Sequence, residues 1–257
     1  MTEEAVKSVA IVDYGLGNLF SIKHACAQAG MRAEITSEPR EILAADAVVL
    51  PGMGAFGDAM EALRRLDLIE VLRDAAAGER PLIGVCLGLQ LLMSEGHEFG
   101  RHAGLGIIPG MVVRFDDVRD GETPLKVPQI GWNRILKPVR ASGAEQAKLA
   151  NGGISQNGEG AAMALDPWAD SPLAGLSDGE FMYFVHSYYA VPEDRAVVLS
   201  TSRYGATEFC SSIKYRNIYA FQFHPERSGP AGISIYRNVA ALIGAESETA
   251  KGETVNG

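Results

Sequence analysis

Three side chains in this sequence have the types and the spacing of an activated nucleophile: Cys86, His224 and Glu226. Cys86 stands where an apolar run, Pro81-Leu82-Ile83-Gly84-Val85, meets a helical pattern, Leu87-Gly88-Leu89-Gln90-Leu91-Leu92-Met93. A buried strand, an abrupt turn and then a helix present a nucleophile at the top of a parallel sheet. Gly84 and Gly88 suit that turn, because a missing side chain permits close backbone approach. The dipole of a helix beginning just after the sulfur favours negative charge there. Taken by itself, Cys86 is more simply read as a small buried hydrophobe. His224 changes the balance. Tyr219-Ala220-Phe221-Gln222-Phe223 reads as a strand with His224 at its end, followed by Pro225-Glu226. A residue before proline is pushed toward extended geometry, where positions two apart project to the same side. Glu226 can then reach the back of the imidazole, fix its tautomer and stabilise the imidazolium, which is the base-plus-orienter logic of nucleophilic catalysis. A His-x-Glu pair also occurs in zinc deaminases, but the Pro-Cys-x-x-Cys segment they require is missing.

A third element supplies what a tetrahedral oxyanion needs. Asp46-Ala47-Val48-Val49-Leu50 is a short apolar strand that runs into Pro51-Gly52-Met53-Gly54-Ala55-Phe56. Glycines there free backbone amides to point at a ligand, so one donor is expected from Gly52-Met53 and another from Leu87. A glycine turn after a strand says little alone; its weight comes from standing beside the cysteine and the histidine.

Gly84-Val85-Cys86-Leu87-Gly88-Leu89-Gln90, Phe223-His224-Pro225-Glu226 and Pro51-Gly52-Met53-Gly54 together resemble the class I (triad-type) glutamine amidotransferases. Within that family the chain is most similar to the glutaminase subunits of imidazole glycerol phosphate synthase. The marks are Ile11-Val12-Asp13-Tyr14-Gly15-Leu16-Gly17-Asn18-Leu19, Pro128-Gln129-Ile130-Gly131-Trp132-Asn133 and Tyr183-Phe184-Val185-His186-Ser187-Tyr188-Tyr189. The likeness runs in order from about Val9 to about Ile243. It implies hydrolysis of L-glutamine to glutamate and ammonia, with Cys86 as nucleophile, His224 as base and Glu226 as its orienter. Gln90 matches the family position that helps hold the substrate, and Ser187 and Tyr188 align with glutamine-contacting backbone. The resemblance also implies a heterodimer with a cyclase subunit, HisF, a (β/α)8 barrel to which ammonia is passed. Such a barrel takes about 250 residues by itself, so it must come from a separate chain. Trp132, Asn133 and Arg227 align with its interface. Met53 stands where the family most often has valine, and Arg227 where it commonly has lysine; arginine keeps the charge and changes the hydrogen-bond geometry.

Composition sets the outer limits. The 257 residues, 47% hydrophobic and 21% charged, are ordinary for a soluble globular protein. A net charge of −9 with no basic stripe disfavours a general nucleic-acid role. No apolar stretch approaches a membrane span, and the acidic start, Met1-Thr2-Glu3-Glu4-Ala5-Val6-Lys7, lacks the hydrophobic region of a signal peptide. Cys26, Cys86 and Cys210 suggest no disulfide framework and fit a reducing cytoplasm.

The elements that must position these residues read as one α/β domain over residues 1–245, with a central mostly parallel, flavodoxin-like sheet flanked by helices and a strand-rich second half. Strands are expected at 8–12, 33–36, 48–50 and before Cys86, with helices at 19–29 and 58–76. Further strands are expected at 111–115, 181–185, 196–201 and 210–215. Residues 137–167 lack apolar periodicity and read as an inserted surface loop, and 246–257 as a polar, disordered tail. No cofactor is expected: Gly15-Leu16-Gly17 resembles half of a dinucleotide fingerprint, but Phe20 occupies the third glycine's place. No metal is expected either, since His97 and His102 lack the one-turn spacing of helical ligands and read as surface residues, and His186 as a packed, hydrogen-bonded scaffold group. Competing readings are the glutaminase of another amidotransferase such as pyridoxal phosphate synthase, a Cys-His-Glu peptidase or γ-glutamyl hydrolase, and a flavodoxin-like binding module with an inert cysteine. A papain-like protease is disfavoured by the absence of its Cys-Gly-x-Cys-Trp signature.

Overall fold

The computed structural model describes residues 6–139 and 166–252, with side chains as far as Ile243. The first part alternates strand and helix: β1 (Ser8–Val12), α1 (Leu19–Gln28), β2 (Arg32–Thr36), α2 (Pro39–Ala44), β3 (Ala47–Leu50), α3 (Phe56–Arg65), α4 (Leu68–Ala77), β4 (Leu82–Val85) and α5 (Leu87–Leu91). Then come β5 (Met93–Gly96), β6 (His102–Ala103), β7 (Ile108–Arg114), β8 (Arg119–Asp120), β9 (Thr123–Pro124) and β10 (Gln129–Arg134). After the undescribed segment follow β11 (Phe181–His186), β12 (Tyr188–Pro192), β13 (Val198–Tyr204), β14 (Thr207–Tyr215), β15 (Ile218–Phe221) and α6 (Gly229–Gly252).

Among the described residues the main sheet has seven strands in the order β13-β14-β15-β4-β3-β1-β2. The pairs from β15 to β2 are parallel, and β14 and β13 close the edge antiparallel. β3 and β4 are buried along their whole length, as unbroken apolar runs inside a parallel sheet must be. In β1 successive side chains alternate faces. Val9 and Ile11 join Ile22 and Cys26 of α1 and Ile235 and Val239 of α6, while Ala10 and Val12 join Ile42, Leu63 and Leu72 of α2, α3 and α4. Helices therefore cover both faces, and the α/β fold is the one the sequence predicts. The second half adds a four-stranded sheet, β12-β7-β5-β6, and the ribbons β10-β11 and β8-β9. No helix among the described residues is long and apolar enough to cross a membrane.

Several boundaries differ from the sequence expectation for identifiable reasons. The helix expected at 58–76 is two, broken at Leu66 and at Asp67, whose φ of 55° is left-handed; aspartate is one of the few non-glycine residues that visits that region readily. The helix after Cys86 stops at Leu91 instead of reaching Met93. The carbonyls of Leu91 and Leu92 are taken by the amides of Leu105, Ile107 and Ile108, and Met93 is drawn into register with Ile108. α2 was not foreseen; Pro39 at its first turn and the buried Ile42 were its only signals. The polar run from Glu246 was expected to be disordered, and its backbone is helical as far as Gly252. Of the expected insert at 137–167, residues 140–165 lie outside the described residues.

Candidate active site

Cys86 occupies the turn between β4 and α5 with φ 54° and ψ −109°, a strained backbone for a residue that bears a Cβ. The turn is held from three sides. The Cys86 amide donates to the Phe221 carbonyl of β15 at 2.7 Å. A Cβ on Gly84 would come within 3.0 Å of the Leu89 amide, and one on Gly88 within 1.9 Å of the Leu50 carbonyl. Both glycines are thus there for close approach of backbone to backbone, as their placement beside the cysteine suggested.

His224 lies three residues beyond β15, where Pro225–Arg227 form a single 3₁₀ turn. The His224 amide donates to the Tyr183 carbonyl at 2.9 Å, and Ser228 Oγ donates to the His224 carbonyl at 2.7 Å. Its Nδ1 lies 2.8 Å from Glu226 Oε1. A carboxylate only accepts, so Nδ1 carries the proton and Nε2 is left for chemistry. The Glu226 side chain is wholly enclosed, and among the described residues its Oε2 has no partner, so its hydrogen bonding is committed to His224. Burial disfavours charge on His224, but the negative form of Cys86 and the Glu226 carboxylate outweigh it and push the imidazole up to about 10. Among the described residues Nε2 has no other partner and is left to face Cys86. The imidazole of His224 is therefore held in its protonated form at neutral pH.

Cys86 and His224 open on one cavity of about 740 Å³. Of the residues expected from sequence, Met53, Leu87, Gln90, Ser187, Tyr188 and Arg227 also line it. Gly52 sits just behind the wall, where a Cβ would lie 2.5 Å from Tyr14 Oη and 2.8 Å from Leu87 Cβ. The Met53 side chain is half exposed, and Gly54 follows at φ +103°. Gln90 Nε2 donates to the Tyr188 carbonyl at 2.9 Å and to Gln222 Oε1 at 3.0 Å. The Ser187 carbonyl accepts from the Phe115 amide. His186 is packed and hydrogen-bonded as expected, yet it also faces the cavity: its Nδ1 donates to the Tyr188 carbonyl at 2.9 Å, and burial pulls it down to about 4, so it stays neutral. His97 pairs with Glu95 at the surface, whereas His102 packs under Gly57 and is only partly exposed.

The three interface candidates separate. Trp132 is half exposed, its ring edge-on to Tyr183 at 6.1 Å, and the Arg227 guanidinium lies over the same Tyr183 ring at 5.2 Å. Asn133, the next residue of β10, turns to the other side and donates to the Arg203 carbonyl at 2.8 Å. Trp132, Tyr183 and Arg227 therefore form one outward stack beside the cavity, without Asn133.

Sequence reasoning missed Gln222, which is fully buried and reaches Cys86 Sγ at 3.8 Å from Nε2 while holding Gln90. A glutamine inside the apolar run Tyr219–Phe223 was the available signal, since a buried amide needs partners. Asn18, Ser21 and Glu98 were missed as cavity residues; Glu98 Oε2 also accepts from the Phe56 amide at the start of α3.

The family model for class I glutamine amidotransferases matches residues 10–241. The chain belongs to that family. Among proteins of known role it is 42% identical to imidazole glycerol phosphate synthase subunit HisH of Syntrophotalea carbinolica, covering 90% of this chain and 98% of that one. It is 38% identical to the HisH subunit of Geobacter sulfurreducens, over 91% and 98% of the two chains. Within the family, then, the chain is placed among the HisH subunits. Solved structures agree on the fold. A TM-score of 0.62 relates it to PurLQS from Thermotoga maritima at 14% identity, over 93% of this chain and all of that one. A glutamine amidotransferase from the same organism gives 0.52 at 15% identity, over 98% and 87%.

Proposed function

We propose that this chain is the glutaminase subunit of imidazole glycerol phosphate synthase in histidine biosynthesis, with Cys86, His224 and Glu226 as its catalytic triad. The observation that carries the reading is a cysteine and a carboxylate-backed histidine opening on one cavity, with Nδ1 of His224 2.8 Å from Glu226. Cys86 Sγ, its proton passed to His224 Nε2, attacks the side-chain amide carbon of L-glutamine, and the carbonyl electrons move onto oxygen. The amides of Leu87 and the Gly52-Met53 turn hold that oxyanion. His224 Nε2 gives its proton to the leaving nitrogen, so ammonia departs and a thioester remains. Water, deprotonated by the now neutral His224, attacks the thioester, and glutamate leaves as Cys86 regains its electron pair. Gln90, already holding Tyr188 and Gln222 through its Nε2, offers its Oε1 to the substrate.

Ammonia is useful only while neutral and confined, so the product passes directly to a partner. That partner is the cyclase subunit HisF, a (β/α)8 barrel in heterodimer with this chain. There ammonia and PRFAR give imidazole glycerol phosphate and AICAR. The Trp132, Tyr183 and Arg227 stack beside the cavity supports docking on this face, because aromatic and arginine side chains are the usual anchors of interfaces. The amidotransferase unit is a single domain over residues 1–245, and a cytoplasmic location fits its biosynthetic role.

The test is glutamate release from L-glutamine by the purified chain, alone and with a cyclase subunit and its nucleotide ligand, beside Cys86→Ala. Release stimulated by the cyclase and lost in Cys86→Ala is the expected result. Release without stimulation favours a different amidotransferase or hydrolase, and no release under any condition favours an inert binding module.

A further inference from the structure

We propose that Tyr14 is a positioning residue for the oxyanion loop, fixing the Pro51-Gly52 peptide so that the amides following it face Cys86. This rests on the glutaminase reading of the same cavity and adds a residue that the triad does not include. Tyr14 lies two residues beyond β1 and is 2% exposed. Its hydroxyl donates to the Pro51 carbonyl at 2.7 Å.

The surrounding geometry makes this bond part of a clamp. β1 and β3 are parallel neighbours, with Ile11 opposite Val49, so the loops leaving their carboxyl ends run side by side. The loop after β1 holds Pro51 twice. Tyr14 takes its carbonyl, and at Gly17, φ +147°, a Cβ would lie 3.2 Å from Pro51 Cβ. Gly52 is wedged between Tyr14 and Leu87, where a Cβ would fall 2.5 Å from Tyr14 Oη and 2.8 Å from Leu87 Cβ. In a planar trans peptide the carbonyl and the next amide point in opposite directions, so holding the Pro51 oxygen sets the direction of the Gly52 N–H and the start of the turn into Met53. Burial, reinforced by the negative charge of Cys86, pushes the Tyr14 hydroxyl well above its usual range, so it remains a protonated donor. The Gly15-Leu16-Gly17 turn, half of a dinucleotide fingerprint by sequence, here packs on the oxyanion loop.

Tyr14→Phe keeps the ring and removes the donor. Three readouts separate positioning from general support: glutamine turnover in the complex with a cyclase, alkylation of Cys86 by iodoacetamide, and hydrogen exchange of the amides at residues 52–54. Alkylation needs the sulfur and no oxyanion hole. The expected result is a fall in kcat of about ten- to a hundredfold, with KM within about threefold and the alkylation rate within about twofold. Exchange at 52–54 quickens while that of β1 and β3 does not change. Unchanged kcat and exchange overturn the proposal, as does a parallel loss of turnover and alkylation, which would mark Tyr14 as ordinary core. If Tyr14→Phe does not fold, Gly52→Ala, whose methyl forces the loop off Tyr14, must give the same split, and normal kcat in that variant overturns the proposal. Absence of glutamate release by the unsubstituted chain would remove the glutaminase reading alone; the exchange comparison would still decide whether Tyr14 holds the loop.

Discussion

Glu226→Gln isolates the charge behind His224, the proposed base, from its geometry. The glutamine carbonyl still accepts from Nδ1, so ring orientation and tautomer survive, and what disappears is a negative charge whose oxygen lies 2.8 Å from the ring. Both side chains are almost completely enclosed, 7% and 0% exposed, so water screens the interaction little. A hydrogen bond to a charged partner contributes about 1.5–3 kcal/mol. Two unit charges about 4 Å apart at an effective dielectric near 20 set a ceiling of about 4 kcal/mol. Since each step asks His224 to carry or release a proton, most of that difference falls on the transition state, and about 2–4 kcal/mol corresponds to roughly 30- to 1,000-fold in kcat/KM. Glutamate release by the cyclase complex measures it. Glu226→Ala goes further: it leaves Nδ1 buried without an acceptor, a cost of about 1–3 kcal/mol that should also lower the melting temperature. Activity of Glu226→Gln within about threefold of the parent would refute the assignment of Glu226 as an electrostatic partner. Equal losses in both variants, without a drop in melting temperature for alanine, would refute the separation of charge from orientation.

Gly88→Ala places a methyl 1.9 Å from the Leu50 carbonyl oxygen and 2.9 Å from its carbon, both backbone atoms, so about 3 kcal/mol of stability should be lost in urea unfolding. His224 is raised from 6.5 to about 10, so its contribution to stability is complete below 6.5 and is lost as pH rises through about 10. Stability of the parent relative to His224→Gln should accordingly shrink across that window, and NMR titration of His224 should move downward in Cys86→Ala, which removes the leading cause of the rise. Trp132→Ala should weaken cyclase binding by about 2 kcal/mol, near 30-fold in Kd by calorimetry, and leave the melting temperature almost unchanged, because the ring is half exposed.

Local chemistry was legible where one short segment carries the whole signal. Gly84 and Gly88 around Cys86 announced a turn too tight for side chains, and His224-Pro225-Glu226 announced a carboxylate behind an imidazole within three residues. Contacts made across the sheet left no such trace. Gln222 reads as one polar residue in an apolar run, and only the pairing of β15 with β4 shows that it bridges Cys86 and Gln90. Asn133 stood next to Trp132 in sequence and was grouped with it, whereas strand alternation sends the two to opposite sides. The break at Asp67 was hidden because apolar periodicity continues through it from α3 to α4, and a single left-handed residue does not disturb composition. Met93 shows the reverse limit: helical spacing persisted to it, but tertiary hydrogen bonds from Leu105, Ile107 and Ile108 claimed the carbonyls that a further turn would have needed.

The placement of the site follows from strand order more than from any motif. Reading across β15, β4, β3 and β1, the loops at the four carboxyl ends supply His224, Cys86, the Pro51–Gly54 turn and Tyr14 respectively. β2 lies to one side of β1 and β3 to the other, and the loops after β1 and β3, packed on each other, lead to α1 on one face and α3 on the opposite face; this is a switch point, the position where parallel sheets open a crevice for ligands. Register then fixes the chemistry. Phe221 is opposite Val85, which puts Cys86 one residue and His224 three residues past a matched pair. A slip of one residue in β15 would reverse the faces of Phe221 and Gln222 and carry His224 away from Cys86. Phe221 in the core cluster that includes Val85 and Phe223 opposes that slip, so the apolar residues of β15 keep His224 beside Cys86 although none of them lines the cavity.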